Sequence, residues 1–178
     1  MVKDIFSAKK TLNLRGELLN LDTPKVMGIL NVTPDSFFDG GKYLVEDRIV
    51  KRIQVLYEDG ADIIDIGGYS TRPGAGEISV EEEINRIKNA IELVTKHHPK
   101  ASISIDTFRS EVAQVALDNG VSMVNDISGG IMDSKMFETV AKYQVPIILM
   151  HMRGTPSTMQ SMTNYSNLVI ELVDELRR

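Results

Sequence analysis

Acidic and amide side chains stand at the ends of short apolar runs, where they could bind a polar ligand. Asp106 ends the alternating run 102–106, and Asn125 lies within the run 123–128. A carboxylate can accept two parallel N–H bonds from an amidine-like ring edge, and an amide offers both a donor and an acceptor. The pair therefore describes a site for a flat polar ring better than a site for proton transfer.

Asp106 also has a simpler interpretation, and the orientation of Asn125 is open. Asp106 could cap the helix that is predicted to begin near Arg109. Asn125 and its neighbour Asp126 must point to opposite faces of a strand, so one of the two faces inward. We expect Asn125 to lie level with Asp106.

Two loops carry further candidates. The run 26–32 is expected to be a buried strand that presents Asn31 before a polar loop, although Asn31 could instead cap its own turn. The stretch 67–76 is rich in glycine and carries Thr71 and Arg72, a hydroxyl and a bidentate cation suited to a phosphate or carboxylate. At about ten residues it exceeds the usual ~2–6 for such a connection, which favours a functional lid over a simple link.

Other kinds of site find little support. The chain has no cysteine, which excludes disulfides, thiolate metal sites and a cysteine nucleophile. His151 follows the last apolar run, and a lone histidine there is more commonly satisfied than catalytic. No histidine cluster has the spacing of a zinc site.

Short apolar runs alternate with helical patterns and predict an α/β fold in which parallel strands lie inside a layer of helices. The five runs end near polar residues, namely Asn31, Asp65, Asp106, Asn125 with Asp126, and His151. No G-x-G-x-x-G turn follows the first run, so a TIM (β/α)8 barrel, whose site lies at the carboxyl ends of the strands, is favoured over a doubly wound sheet.

Five strand–helix units cannot close an eight-stranded barrel, which takes roughly 250 residues. We therefore expect residues 1–178 to be one domain, incomplete at its C-terminal end and equal to about the first five-eighths of a barrel. Residues 1–25 are an extension in which 11–21 form a β-hairpin that acts as a plug or a flap.

Composition limits the classes of partner. At 42% hydrophobic, the 178 residues can bury a real core. The net charge of -5 gives no electrostatic argument for nucleic acid or an anionic membrane. No apolar run approaches the ~20 residues of a spanning helix, and no secretory segment opens the chain. The composition predicts a cytoplasmic protein.

Taken together, the motifs resemble dihydropteroate synthases. The matching segments follow one another in chain order, each at a predicted strand end: GILNVTPDSFFDGG (28–41), DIIDIGGYSTRPGAG (62–76), SIDTFRSEV (104–112), VNDISG (124–129) and MHMRGTPSTMQ (150–160). The resemblance implies a (β/α)8 barrel that condenses 6-hydroxymethyl-7,8-dihydropterin pyrophosphate with p-aminobenzoate in folate biosynthesis. It also implies a requirement for Mg²⁺, competition by sulfonamides and a homodimer in the full-length form.

The resemblance also implies roles for individual residues. Asp106 and Asn125 would bind the pterin, and Met150 would form an apolar wall of its pocket. Asn31 would be the ligand of the Mg²⁺–pyrophosphate unit. The remaining residues belong to the two loops and would contact pyrophosphate or p-aminobenzoate: Asp35, Phe37, Thr71, Arg72 and Pro73. Of these, Asp35, Thr71 and Arg72 are the catalytic candidates.

The sequence departs from the family in two ways. Tyr69 stands where the family commonly has Glu or Gln. The family's later strands supply a lysine and a Ser-x-Arg motif, and neither can be assigned here. Two alternatives therefore remain: a pterin-binding methyltransferase domain, which should lack both long loops, and an inactive pterin-binding fragment.

Overall fold

The structure is a computed structural model, and it describes residues 10–33, 42–70 and 76–177. An antiparallel hairpin comes first, formed by β1 (Thr11–Leu14) and β2 (Glu17–Asn20). Five parallel strands follow: β3 (Met27–Asn31), β4 (Ile63–Gly67), β5 (Ser102–Asp106), β6 (Met123–Asp126) and β7 (Ile147–Leu149). The helices are α1 (Lys42–Glu58), α2 (Val80–His97), α3 (Ser110–Asp118), α4 (Met136–Tyr143) and α5 (Leu168–Leu176), with a 3-10 turn at Met159–Ser161.

The five parallel strands pair in chain order, from β3 to β7. This order with a helix after each strand is the wall of a (β/α)8 barrel, so the predicted fold class is confirmed as a partial barrel. Within the described ranges, the outer edges of β3 and β7 pair with no other strand. Strand β5 has the same bounds as the run that predicted it, whereas the other four strands are one to four residues shorter than their runs.

The main core lies between the sheet and the helices. Ile103 and Ile105 of β5 point into it, as the alternation of their strand predicted. The apolar stripe of α2 meets them through Ile87, Ile91 and Val94, which are all nearly fully buried. Helix α2 begins at an N-cap, since the Ser79 side chain accepts a hydrogen bond from the backbone N–H of Glu82.

The hairpin packs at the amino ends of the strands, on the inner face of the sheet. Leu14 of β1 forms a small buried cluster with Ile63 of β4 and Met123 of β6. At the hairpin tip, the Arg15 guanidinium donates to the carbonyl oxygens of Leu117 and Val121, near the end of α3. The hairpin is therefore a plug at the end opposite the predicted site.

One expectation about β3 is wrong. Its run was expected to be buried, but Ile29 is 57% exposed and Val26 just before the strand is 54% exposed. Ile29 belongs to the inner face of the sheet, and the described residues place no opposite wall against it. Among the described helices, none is long and apolar enough to cross a membrane.

Candidate functional site

Four residues of four adjacent strands form one row at the carboxyl edge of the sheet. The strand register pairs Asn31 with Gly67, Gly67 with Asp106, and Asp106 with Asn125. Paired residues of parallel strands project to the same side, so these positions share the inner face. The structure therefore brings Asn31, Asp106 and Asn125 together, and Asn125 lies level with Asp106 as predicted.

Gly67 separates two of the functional side chains. A Cβ atom at this position would lie 2.9 Å from Oδ1 of Asn31 and 3.5 Å from Oδ2 of Asp106. The lower distance is shorter than real Cβ contacts allow. Because Gly67 has no side chain, the Asn31 amide and the Asp106 carboxylate can both lie next to it on the inner face of the sheet.

Asp65 was predicted at a strand end, but it lies one layer deeper. Strand β4 continues to Gly67, so Asp65 pairs with Ser104 two residues below the row and is only 4% exposed. Its Oδ2 accepts a hydrogen bond of 2.9 Å from Nδ2 of Asn125. Burial raises the pKa of Asp65, although the nearby Ser104 hydroxyl and the Asn125 amide act in the opposite direction.

The Asp106 carboxyl group is half-buried at the end of β5. Burial raises its pKa to about 7, and the nearby carboxylates of Asp65, Glu83 and Asp126 add to the increase. A group with this pKa titrates near neutral pH. It can accept hydrogen bonds from a ligand with both oxygens only in its ionised form.

The alternative interpretation of Asp106 as a helix cap is wrong. Helix α3 begins at Ser110 with Arg109 as its N-cap residue, and no N-cap side chain bonds the helix. The Ser110 N–H instead donates to Oδ2 of Asp133 over 2.7 Å. Asp106 is thus left available on the inner face.

Asp126 and Asn125 point to opposite faces, as the strand geometry required. Asp126 is fully buried, and its Oδ1 accepts hydrogen bonds of 2.7 Å from both the backbone N–H and the hydroxyl of Ser128. Its Oδ2 accepts from the N–H of Gly130 over 2.9 Å. Asp126 therefore holds the turn after β6, and Asn125 is the inward residue of the pair.

An ion pair whose carboxylate is buried connects the two ends of the loop that follows β4, and it was not predicted from the sequence. Glu83 accepts hydrogen bonds of 2.8 Å from Thr107 Oγ1 and from Arg109 Nη1. The Arg109 guanidinium also lies 5.0 Å from the centre of the Tyr69 ring and donates to the Ile78 carbonyl over 2.9 Å. Glu83 precedes Ile87 by four residues on the buried side of α2, and this spacing was the available signal.

Several predicted site residues lie outside the described part of the chain. These are Asp35 and Phe37 of the first loop and Thr71, Arg72 and Pro73 of the second. Their roles stay predictions of the sequence.

Two residues after β7 can be placed. Met150 is 36% exposed just beyond the strand, and its N–H donates to the Asp126 carbonyl over 3.1 Å. This places Met150 at the same edge of the sheet as the row. His151 lies 2.7 Å from Oε2 of Glu175 through its Nε2, which supports the interpretation of a satisfied strand-end histidine.

A barrel wall that ends in a row of carboxylate and amide side chains is a candidate site for a small polar ligand. Residues 27–178 match the family model described as "Pterin binding enzyme". The match covers most of the chain, which therefore belongs to this family.

Several proteins that are similar to this chain are dihydropteroate synthases. The dihydropteroate synthase of Staphylococcus epidermidis is 52% identical over 132 residues, which are 71% of this chain and 48% of that protein. The Xanthomonas albilineans dihydropteroate synthase solved with 4-aminobenzoic acid is 39% identical, with a TM-score of 0.79. The Yersinia pestis dihydropteroate synthase solved in complex with a sulfonamide drug is 38% identical, with a TM-score of 0.82.

The chain spans only part of these proteins. The two structural matches cover 94% of this chain and 60% of each solved chain. Among curated relatives the share is lower still, down to 20% of the longest proteins matched.

Proposed function

We propose that the full-length protein that carries this chain is a dihydropteroate synthase. It would condense 6-hydroxymethyl-7,8-dihydropterin pyrophosphate with p-aminobenzoate, giving 7,8-dihydropteroate and pyrophosphate. The observation that carries this proposal is the shared row of Asn31, Asp106 and Asn125 on the inner face of the barrel wall. The names of the relatives and the 4-aminobenzoic acid and sulfonamide in two of their structures support it.

The row suits the two halves of the first substrate. An ionised Asp106 would accept N–H bonds from the pterin ring, and Asn125 would offer its oxygen and an N–H beside it. Asn31 lies at the other end of the row, across Gly67, where the pyrophosphate would lie. Met150 would supply an apolar contact at the rim.

Asn31 is the described residue that fits Mg²⁺. Its amide oxygen is a hard donor and lies beside Gly67 at the end of the row. The described residues contain no group of three His, Asp or Glu side chains that could hold a metal alone. An ion at Asn31 would take most of its ligands from substrate phosphate and water, and Mg²⁺ would there neutralise charge on the leaving pyrophosphate.

The reaction would proceed by loss of pyrophosphate from the pterin methylene, followed by attack of the p-aminobenzoate amine on the resulting conjugated cation. Such a reaction depends on charge stabilisation at the leaving group and on exclusion of water. Thr71, Arg72 and Asp35 are proposed for these tasks, with Pro73 and Phe37 around p-aminobenzoate. Sulfonamides would compete at that position.

The second candidate is a pterin-binding methyltransferase domain, which the family model alone permits. The sequences NVTPDSF and STRPG in the two long loops favour the synthase. A homodimer of the full-length protein and a cytoplasmic location complete the proposal. Both rest on the sequence analysis.

The test is a pyrophosphate-release assay with the full-length protein, the pterin pyrophosphate and Mg²⁺. We expect release that depends on p-aminobenzoate and falls when a sulfonamide is added. Pterin binding without release would favour the methyltransferase class or an inactive binder. Absence of pterin binding would overturn the proposal altogether.

A further inference from the structure

Asp65 is a buried carboxylate that the proposed chemistry does not use. It is 4% exposed and lies one layer below the row, where Gly67 occupies the corresponding position of β4. A ligand that rests on the row would thus meet the backbone of Gly67 and not the Asp65 side chain. Asp65 can therefore act on the ligand through its charge, which raises the pKa of Asp106, or through a residue that touches both Asp65 and the ligand.

Asn125 is that residue. Its Nδ2 donates to Oδ2 of Asp65 over 2.9 Å, across the intervening strand β5. The nitrogen and not the oxygen of the amide faces Asp65, and this orientation suits a carboxylate that accepts hydrogen bonds. The amide oxygen accepts no hydrogen bond from the described residues and is not buried, so it is open toward the site.

Asn125 is also the hydrogen-bonding partner on which this carboxylate depends. Oδ1 of Asp65 and the hydroxyl oxygen of Ser104 are both buried without a partner in the described part of the chain. The Asn125 N–H therefore makes the one hydrogen bond of good geometry to the Asp65 side chain there. Rotating the amide by half a turn would place two acceptors against each other and leave the carboxylate unpaired.

We propose that Asp65 is a positioning residue, which holds the Asn125 amide so that its oxygen and its second N–H meet the pterin ring in a fixed order. The identity of the ligand rests on the function proposed above. A rotated amide would exchange donor and acceptor along the ring edge and leave polar groups of the ring unpaired. Asp65 would thus set specificity for a ring that presents a donor and an acceptor side by side.

The test is a double-mutant cycle between Asp65 and Asn125 in the full-length protein, with 6-hydroxymethylpterin as the titrated ligand. We expect Asp65→Ala to weaken binding about tenfold or more, and Asp65→Asn to weaken it less, because an amide oxygen can still accept. In an Asn125→Ala background the same Asp65 substitutions should change affinity less than twofold. Equal losses in both backgrounds, or no loss in either, would overturn the proposal.

A matched control lies in the same layer. Ser104→Ala removes a buried polar group beside Asp65 that does not bond Asn125, and its affinity should stay within twofold of wild type. If Asp65→Ala fails to fold, the same cycle with Asp65→Asn decides the question. A loss with Ser104→Ala as large as that with Asp65→Ala would show a general packing effect and contradict the positioning role.

A readout without ligand separates this proposal from the function. The side-chain NH₂ signals of Asn125, assigned in NMR spectra by their loss in Asn125→Ala, should be two distinct and slowly exchanging signals in the wild type. In Asp65→Ala they should move and exchange at least tenfold faster. Unchanged signals would overturn the role of Asp65 even if the pterin binds, whereas changed signals with no pterin binding would overturn only the proposed ligand.

Discussion

The amide oxygen of Asn31 lies 2.9 Å from the place that a Cβ atom would take at Gly67. The absent side chain of one strand thus determines where the functional group of its neighbour can lie. The contact is with the end of a side chain and not with backbone, so a methyl group at Gly67 would move Asn31 and leave the strand intact.

Gly67→Ala should therefore act on the site through Asn31. We expect a loss of turnover in the full-length protein with little change in its melting temperature, because the φ angle of Gly67 is not in the left-handed region. The check is a comparison of Asn31→Ala with the double variant Gly67→Ala/Asn31→Ala. The two should have the same activity, and a further loss in the double variant would mean that Gly67 acts elsewhere.

The charge of Asp106 should control pterin affinity. Because the pKa of this group is raised to about 7, affinity should increase as the pH rises from 6 to 8 and Asp106 becomes ionised. Asp106→Ala removes a charged acceptor that faces a ring with N–H donors, which is worth about 2–4 kcal/mol of binding. Calorimetry at three pH values measures both effects, and an affinity within twofold of wild type in Asp106→Ala would rule out its role.

The raised pKa of Asp106 also predicts an effect of pH on the stability of the fold. The folded state binds the Asp106 proton more tightly than the unfolded chain does, so the free energy of unfolding contributed by this group falls as the pH rises from about 4 to about 7. Asp106→Asn cannot ionise and should therefore be more stable than wild type at pH 8, with a smaller difference at pH 5. Urea unfolding at both values tests this, and equal differences at the two values would contradict it.

The ion pair of Glu83 and Arg109 should contribute strongly to stability, since the Glu83 side chain is about 1% exposed. Glu83→Ala would leave the Thr107 hydroxyl without its acceptor and the Arg109 guanidinium with only the Ile78 carbonyl, at a cost of up to about 3–5 kcal/mol in the free energy of unfolding. Glu82→Ala is a matched control on the same helix turn. Glu82 is 52% exposed, and its partner Arg86 also donates to the Gly68 carbonyl, so the loss of the Glu82 side chain should cost no more than about 1 kcal/mol.

Urea unfolding of the full-length protein distinguishes these two variants. Similar losses for Glu83→Ala and Glu82→Ala would contradict the importance of the Glu83–Arg109 pair.

The Arg109 side chain of this pair also contacts Tyr69 and Ile78, at the two ends of the loop after β4. Thr71 and Arg72 lie between those ends in the sequence.

The row of site residues was predictable because the carboxyl ends of parallel strands meet at one edge. The alternation of β5 placed Asp106 inward, and the parity of β6 left Asn125 or Asp126 beside it. The depth of Asp65 was not predictable in this way. Predicting that depth requires knowing where β4 ends, and the strand extends two residues beyond Asp65, to Gly67.

Ion pairs between residues that are far apart in the chain were also not predicted from the sequence. Glu83 and Arg109 are 26 residues apart, and each would be taken for a surface charge on its own. The exposure of Ile29 was missed for a related reason, since an apolar run predicts a strand but not what covers each face. The local sequence pattern determines whether a segment forms a strand or a helix, whereas the burial of its side chains depends on what packs against that segment.

The open sheet gives the last prediction, which concerns residues 1–178 expressed alone. The outer edges of β3 and β7, which pair with no strand of the described residues, and the exposed inner-face residue Ile29 form a surface that can pair with another chain. Helix α5 adds to it, since Leu168, Val169 and Ile170 are each more than half exposed. We expect this polypeptide to aggregate or to self-associate through its edges, and to show no synthase activity. Sedimentation and the pyrophosphate-release assay test this, and a monomer that melts cooperatively and turns over substrate would refute it.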